Sequence, residues 1–230
     1  MSKKRSIIMV LILVLALAAS VMLCGCSSKT ETAEGDYAPD YMVLVNSETP
    51  LPEDWLSTVH FSALANSVQD DVFVEVKAYE AYLKLKAEIE KELADQDVHL
   101  ELDSAYRSRE AQQKIVDDFT EKYGEEYVKN YVAVPGYSEH HTGLALDLYF
   151  TIGDKTVYEN EDLVQYPEIW ALIHEKLPEY GFILRFPEGK EKITGVSYEP
   201  WHLRYIDSPE TAKEITEKGI TLEEYLADNK

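Results

Sequence analysis

Between Gly143 and Phe150 the chain alternates strictly, with Leu144, Leu146 and Leu148 on one face and Gly143, Ala145, Asp147 and Tyr149 on the other. Alternation with a period of two is the pattern of a half-buried β-strand. The leucine face has to meet a core. On the opposite face Asp147 follows Gly143 and Ala145, whose small size leaves room there for an ion and a substrate. Such a strand needs partners to pair with and helices to pack on its leucines.

Other segments supply both. Residues 42–45, Met-Val-Leu-Val, form an apolar run suited to a strand that would begin the folded domain near Tyr41. From residue 71 to 95 the pattern turns helical, with Val72, Val76, Tyr79, Leu83, Ile89 and Leu93 mostly on one side. Residues 98–102 read as a strand. Ser108 is a good N-cap for a second helix whose apolar side is Ala111, Ile115, Phe119 and Tyr123. Residues 167–180 read as a helix stopped by Gly181, 182–184 and 198–206 as strands, and a last helix follows Pro209. Helices and short strands without regular βαβ alternation indicate an α+β domain.

The first 25 residues are not part of that domain. Lys3, Lys4 and Arg5 precede an apolar run from Ile7 to Val21, the layout of an export signal. Leu23-Cys24-Gly25-Cys26 follows and resembles the lipobox of bacterial lipoproteins, in which the final cysteine is lipidated and becomes the new N-terminus. The resemblance implies a signal peptide over residues 1–25, lipidation at Cys26 and an extracytoplasmic domain anchored to the membrane. An ordinary cleaved signal, or an uncleaved anchor with two incidental cysteines, is the alternative. Residues 26–40 are polar and aperiodic, and read as a flexible tether spanning roughly 20 Å. The folded domain is expected over residues 41–230.

Cys24 and Cys26 are the two cysteines of the chain, so the domain beyond them has neither a disulfide nor a thiolate ligand. A metal there must be held by His, Asp or Glu. The formal charge of −21 falls largely on the domain, since the leader removes only basic groups. A surface this acidic does not hold a nucleic-acid backbone.

Two stretches carry chemistry: Ser138-Glu139-His140-His141-Thr142-Gly143-Leu144-Ala145-Leu146-Asp147 and Glu199-Pro200-Trp201-His202. His140, Asp147 and His202 offer two imidazoles and one carboxylate, which would leave a fourth position of a zinc ion open for water. Glu199 and His202 would point apart in a regular strand, so Pro200 must bend the chain for both to approach one ion. Each residue alone also fits a structural role, and spacing leaves the two readings open.

The pattern Ser-x-His-x-x-Gly-x-Ala-x-Asp followed by Glu-x-Trp-His resembles the signature of VanY-type D-alanyl-D-alanine carboxypeptidases and their L,D-carboxypeptidase relatives. Ser104-Ala105-Tyr106-Arg107-Ser108 with Gln112, Val134-Pro135-Gly136-Tyr137, Gly181 through Arg185, Lys190 through Gly195 and Glu199 through Ile206 extend the likeness. The resemblance implies a single α+β domain whose small antiparallel sheet carries a zinc site and is flanked by helices. It implies one zinc ion per chain held by His140, Asp147 and His202. Glu199 would be the catalytic base and Arg107 the cation that stabilises the oxyanion. Ser138 and Gln112 would help hold the substrate's terminal residue, with Tyr106 and Trp201 shaping the site. The expected partners are peptidoglycan stem peptides and, through Cys26, the membrane; the protein is expected to be a monomer.

Phe186 departs from the pattern, which often has Tyr there, and puts substrate preference in doubt. Between D,D- and L,D-specificity the residues do not choose. A serine carboxypeptidase would need Ser-x-x-Lys, and no serine of the chain has lysine three residues on. A peptidoglycan-binding module without activity is a second class of reading, although every matching position is retained. His141 is expected beside the site rather than as a ligand, and His174 as a packing residue. Arg185 and Arg204 are expected as ion-pair partners, and Tyr137 as a cleft or core residue.

Overall fold

The computed structural model describes residues 39–64 and 72–229. A 3-10 turn at Trp55–Ser57 leads to β1 (Phe61–Leu64), which pairs antiparallel with β2 (Val72–Glu75). β2 runs directly into α1 (Val76–Glu92), and Glu75 caps that helix by accepting from the Ala78 N–H at 2.9 Å. Then follow β3 (Val98–Ser104), α2 (Arg109–Tyr123), α3 (Glu125–Tyr131), a 3-10 turn at Glu139–Thr142, β4 (Ala145–Ile152) and β5 (Lys155–Val157). The remainder is α4 (Asn160–Leu163), α5 (Pro167–Lys176) with a 3-10 extension at Leu177–Tyr180, β6 (Phe182–Leu184), α6 (Glu191–Thr194), β7 (His202–Tyr205), α7 (Pro209–Lys218) and α8 (Leu222–Asp228).

The main sheet is antiparallel in the order β3-β4-β7-β6, with β5 folded back on the end of β4. This is the α+β architecture expected, with helices packed on the sheet. Leu144, Leu146, Leu148 and Phe150 lie in one core with Ala78, Leu85 and Ile89 of α1 and Trp170 and Ile173 of α5. Burying one such large side chain contributes about 1.5–3 kcal/mol, so the leucine face anchors β4 firmly. Its other face is free to build a site. Gly143 ends the preceding turn at φ +72°, and the Phe61 ring lies 2.3 Å from where a Cβ would stand. Glycine is required there on both counts.

Several expectations are corrected. Residues 42–45 form no strand; this segment turns, and the Tyr41 and Val43 carbonyls accept from Arg204 instead of a ladder. Residues 72–75 are strand rather than helix, as alternate burial of Val72 and Val74 suits β-branched side chains. The apolar side of α2 is largely exposed: Phe119 and Tyr123 pack with Tyr127 of α3 at ring distances of 4.7–6.3 Å, away from the core. The ladder expected over residues 198–206 is confined to β7, because a turn occupies its first part. One final helix becomes two, broken at Gly219 with φ +60°. Cys26, the leader and all but the end of the tether lie outside the described residues. Among the described residues no helix is long and apolar enough to cross a membrane.

Candidate metal centre

Sheet register brings the distant motif residues together. Asp147 on β4 is the Cα partner of His202 on β7 and, across the other edge, of Ser104 on β3. His140 enters from the 3-10 turn just before β4. The result is a tight triangle. His140 Nε2 lies 3.1 Å from Asp147 Oδ2, and His202 Nδ1 lies 2.9 Å from Asp147 Oδ1. One ligand atom from each of the three residues falls within 4.8 Å of the others. Tetrahedral zinc with bonds near 2.0–2.2 Å separates its ligands by about 3.3 Å, so the spacing fits such an ion.

Two further observations bear on the fit. The Nδ1 of His140 points at the Ala105 carbonyl, 2.7 Å away, so this nitrogen carries the proton and Nε2 presents a lone pair to the centre. Asp147 accepts at Oδ2 from the Ser104 hydroxyl at 3.0 Å, while its buried Oδ1 faces His202 Nδ1 at 2.9 Å without a well-aligned hydrogen bond. A buried carboxylate oxygen whose one close polar contact is poorly aligned is costly in a folded protein, and a cation between the two groups is the partner that this position suits. Charge agrees. Burial alone would raise the Asp147 carboxyl, yet the two imidazoles hold it well below its usual range. Burial works against charge on His202 too, but Asp147 and Glu139 push its imidazole up to about 10. The site calls for positive charge between its carboxylates, and a divalent ion ligated by the neutral ring answers that demand.

Glu199 approaches as the bend at Pro200 requires. The His202 N–H donates to the Glu199 carbonyl at 3.2 Å, closing a turn that puts Glu199 Oε2 3.7 Å from His202 Nδ1. Burial pushes the Glu199 carboxyl up to about 7, the range in which a carboxylate both takes and returns protons. Arg107 donates through Nη1 to Gln112 Oε1 at 2.9 Å and leans on the Ser104 hydroxyl at 3.4 Å.

Gln112 is itself buried, with Nε2 donating to the Ala133 carbonyl at 2.6 Å, so both ends of its amide are engaged and it positions Arg107. Ser138 is buried at the entry to the turn that carries His140. Tyr106 packs its ring on Phe61 at 4.6 Å and lines a hollow of about 110 Å³ with Leu51, Leu56, Arg109 and His141. Trp201 is half-buried against the core. The ring of Phe186 rests on His202 with centroids 4.6 Å apart.

His141 is not a ligand. Its Nδ1 donates to the Arg107 carbonyl at 2.6 Å and its Nε2 accepts from the Gly136 N–H at 2.9 Å, so the ring braces the Arg107 segment. His174 stacks on Trp170 and meets the Pro200 carbonyl at 2.9 Å, as a packing residue would. Tyr137 is half-buried.

The residue that sequence reasoning missed is Glu139. It is buried, accepts at Oε1 from Arg185 Nε at 2.8 Å and Arg204 Nη1 at 2.7 Å, and meets His202 Nε2 with Oε2 at 3.1 Å. Burial would raise its carboxyl, but the two guanidiniums hold it far below the usual range. A permanent carboxylate on Nε2 keeps the proton on that nitrogen and turns Nδ1 toward Asp147. Arg185 and Arg204 are thus the ion-pair partners expected.

Residues 72–208 match the family model VanY, D-alanyl-D-alanine carboxypeptidase. The D-alanyl-D-alanine carboxypeptidase of Enterococcus faecalis is 31% identical over 212 residues, covering 87% of this chain and 71% of that protein. Among solved structures, a Glu-to-Ala variant of the vancomycin-resistance D,D-pentapeptidase VanY, in complex with Zn(II), superposes with a TM-score of 0.65 at 31% identity. That match covers 81% of this chain and 98% of the other. The LD-carboxypeptidase LdcB gives a TM-score of 0.65 at 33% identity over 81% and 86% of the two chains. With the motif residues gathered at one end of a shared fold, the chain belongs to the VanY family of D-alanyl-D-alanine carboxypeptidases.

Proposed function

We propose that the protein is a zinc-dependent carboxypeptidase that hydrolyses the C-terminal peptide bond of peptidoglycan stem peptides ending in D-Ala-D-Ala, with one ion per chain. The observation that carries this reading is the buried triangle of His140 Nε2, the Asp147 carboxylate and His202 Nδ1, whose ligand atoms lie within 4.8 Å of one another. Three ligands leave one tetrahedral position open, the catalytic pattern rather than the structural one. Zinc bound there would supply Lewis acidity, polarising the scissile carbonyl and making a water acidic near neutral pH.

The remaining steps belong to the chain's own groups. Glu199 takes the proton of the attacking water and passes it to the departing amine nitrogen. Arg107, set by Gln112 and Ser104, directs its guanidinium at the oxygen on which negative charge develops. Ser138 holds the substrate's terminal residue, and Gln112 acts there through Arg107. Phe186 presents an apolar ring instead of a hydroxyl. We place this domain, residues 41–230, outside the cell, tethered by residues 26–40 to a lipid on Cys26, and working as a monomer.

A second reading is an L,D-carboxypeptidase acting on tetrapeptide stems. The equal likeness to LdcB favours it. Incubation of the zinc-loaded protein with pentapeptide and tetrapeptide stems, followed by mass spectrometry, tests both. Loss of one D-alanine from the pentapeptide, abolished by EDTA and indifferent to β-lactams, is the expected result. Loss from the tetrapeptide alone selects the second reading. Activity that survives thorough chelation removes zinc from the proposal, and calorimetric binding without any product leaves a binding module.

A further inference from the structure

Glu139 is one link in a longer chain of buried charge. Arg185, fully buried, divides its guanidinium between two carboxylates. Nε goes to Glu139 Oε1, while Nη1 and Nη2 go to Glu223 at 3.0 and 2.6 Å. Glu223 sits in the first turn of α8, beyond the stretch that matches the family model. The same carboxylate accepts from Asn46 Nδ2 at 3.3 Å, tying in the segment that opens the domain. Arg204, the other cation on Glu139, spends its remaining donors on the Tyr41, Val43 and Tyr205 carbonyls.

The division of labour on Glu139 matters for the metal centre. Two cations share Oε1, which leaves Oε2 to His202 alone. If α8 leaves, Arg185 has two orphaned N–H groups in the protein interior, where unsatisfied donors are costly. The nearest remedy is the second oxygen of the carboxylate that it already binds. Arg185 would then compete with His202 for Oε2, and the imidazole would lose the contact that fixes its tautomer and its aim.

We propose that α8 is a working part of the metal centre: Glu223 holds Arg185 off Glu139 Oε2, and so positions His202 for the ion. The inference rests on the zinc reading above. Coupling of this kind is reciprocal, so metal binding at one end must secure α8 at the other. Lys190, which grips α8 through Glu224 at 2.9–3.0 Å, anchors the same helix without touching Arg185 and serves as the control.

The test is Zn(II) affinity, measured by competition with a chromophoric chelator, for the wild type, Glu223→Gln and Lys190→Gln. Loss of a supporting contact typically costs about 10–100-fold in affinity, and Glu223→Gln is expected near the lower end of that range while Lys190→Gln matches the wild type. In parallel, hydrogen exchange of the wild type with and without Zn(II) should show α8 amides protected by the ion. The same measurement decides the matter if Glu223→Gln fails to fold. Unchanged affinity in Glu223→Gln, or α8 exchange indifferent to zinc, overturns the coupling. Equal weakening by Lys190→Gln also overturns it, since general fraying of α8 would then suffice. A wild type that binds no zinc brings down the zinc reading itself, a failure plainly distinct from the other outcomes.

Discussion

The two nitrogens of His202 face opposite kinds of surroundings. On the Nε2 side every buried charge is matched: Glu139, Arg185 and Arg204 exchange short hydrogen bonds, and all are nearly sealed from water. On the Nδ1 side Asp147 Oδ1 makes no well-aligned hydrogen bond, and burial pushes the Glu199 carboxyl up to about 7. One side spends its polar groups on holding geometry. The other withholds them for a ligand and a reaction. Satisfied buried networks specify a structure, whereas strain and unmet polar groups gather where chemistry is done.

Substitution on each side should therefore fail differently. Glu199→Gln on the open side is expected to lower kcat by roughly 10²–10⁴-fold, the usual contribution of a positioned acid–base group, while zinc content stays at one per chain. Metal analysis that finds the variant empty would make Glu199 a ligand and erase its separate role. Glu139→Ala on the sealed side leaves Arg185 and Arg204 without their common anion, which should cost about 3–5 kcal/mol of stability. Denaturant titration checks this, and a loss below 1 kcal/mol would show that the sealed side is not sealed. Arg107→Met returns to the open side. Loss of an oxyanion donor typically slows turnover by roughly 10²–10³-fold, with little change in the denaturation midpoint. A variant that melts early yet keeps its kcat would place Arg107 with the structural arginines.

The open side was far easier to read from sequence than the sealed one. His140, Asp147, Glu199 and His202 belong to motifs of unusual composition, and the alternation of β4 puts Asp147 opposite the leucines. What no spacing contains is the pairing of Asp147 with His202, because register is settled by packing across distant strands. Glu139 escaped notice because an acid beside histidines in a turn reads as a solvated group. A signal was nevertheless present. Arg185 closes the apolar run Phe182-Ile183-Leu184, and Arg204 stands between Leu203 and Tyr205. Cations in strands of that kind need a buried anion, although the spacing does not say that the acid is Glu139, 46 residues before Arg185. The same limit explains α2, whose apolar residues obey helical spacing but meet α3 instead of the core.

The smallest expected effect is also the most direct probe of the open side, because it asks whether the buried Glu199 carboxylate costs stability. The Glu199 carboxyl ordinarily titrates near 4.5 and is pushed up to about 7 by burial. The folded protein thus holds this proton more tightly than the unfolded chain does. Whatever stability the protonated group lends is complete below about 4.5, and is lost as the pH rises through 7. Glu199→Gln imitates the protonated form at every pH. With a chelator present, the variant should melt together with the wild type at pH 4 and above it at pH 8. A difference of up to about 3 kcal/mol corresponds to at most about 6–12 °C for a domain of this size. Zinc should narrow the gap, since a neighbouring cation favours the ionised carboxyl. Calorimetry at the two pH values, with and without Zn(II), reads all four cases. Coincident melting at pH 8 would mean that Glu199 is as comfortable when ionised as Glu139, and that the two sides of His202 differ less than their contacts suggest.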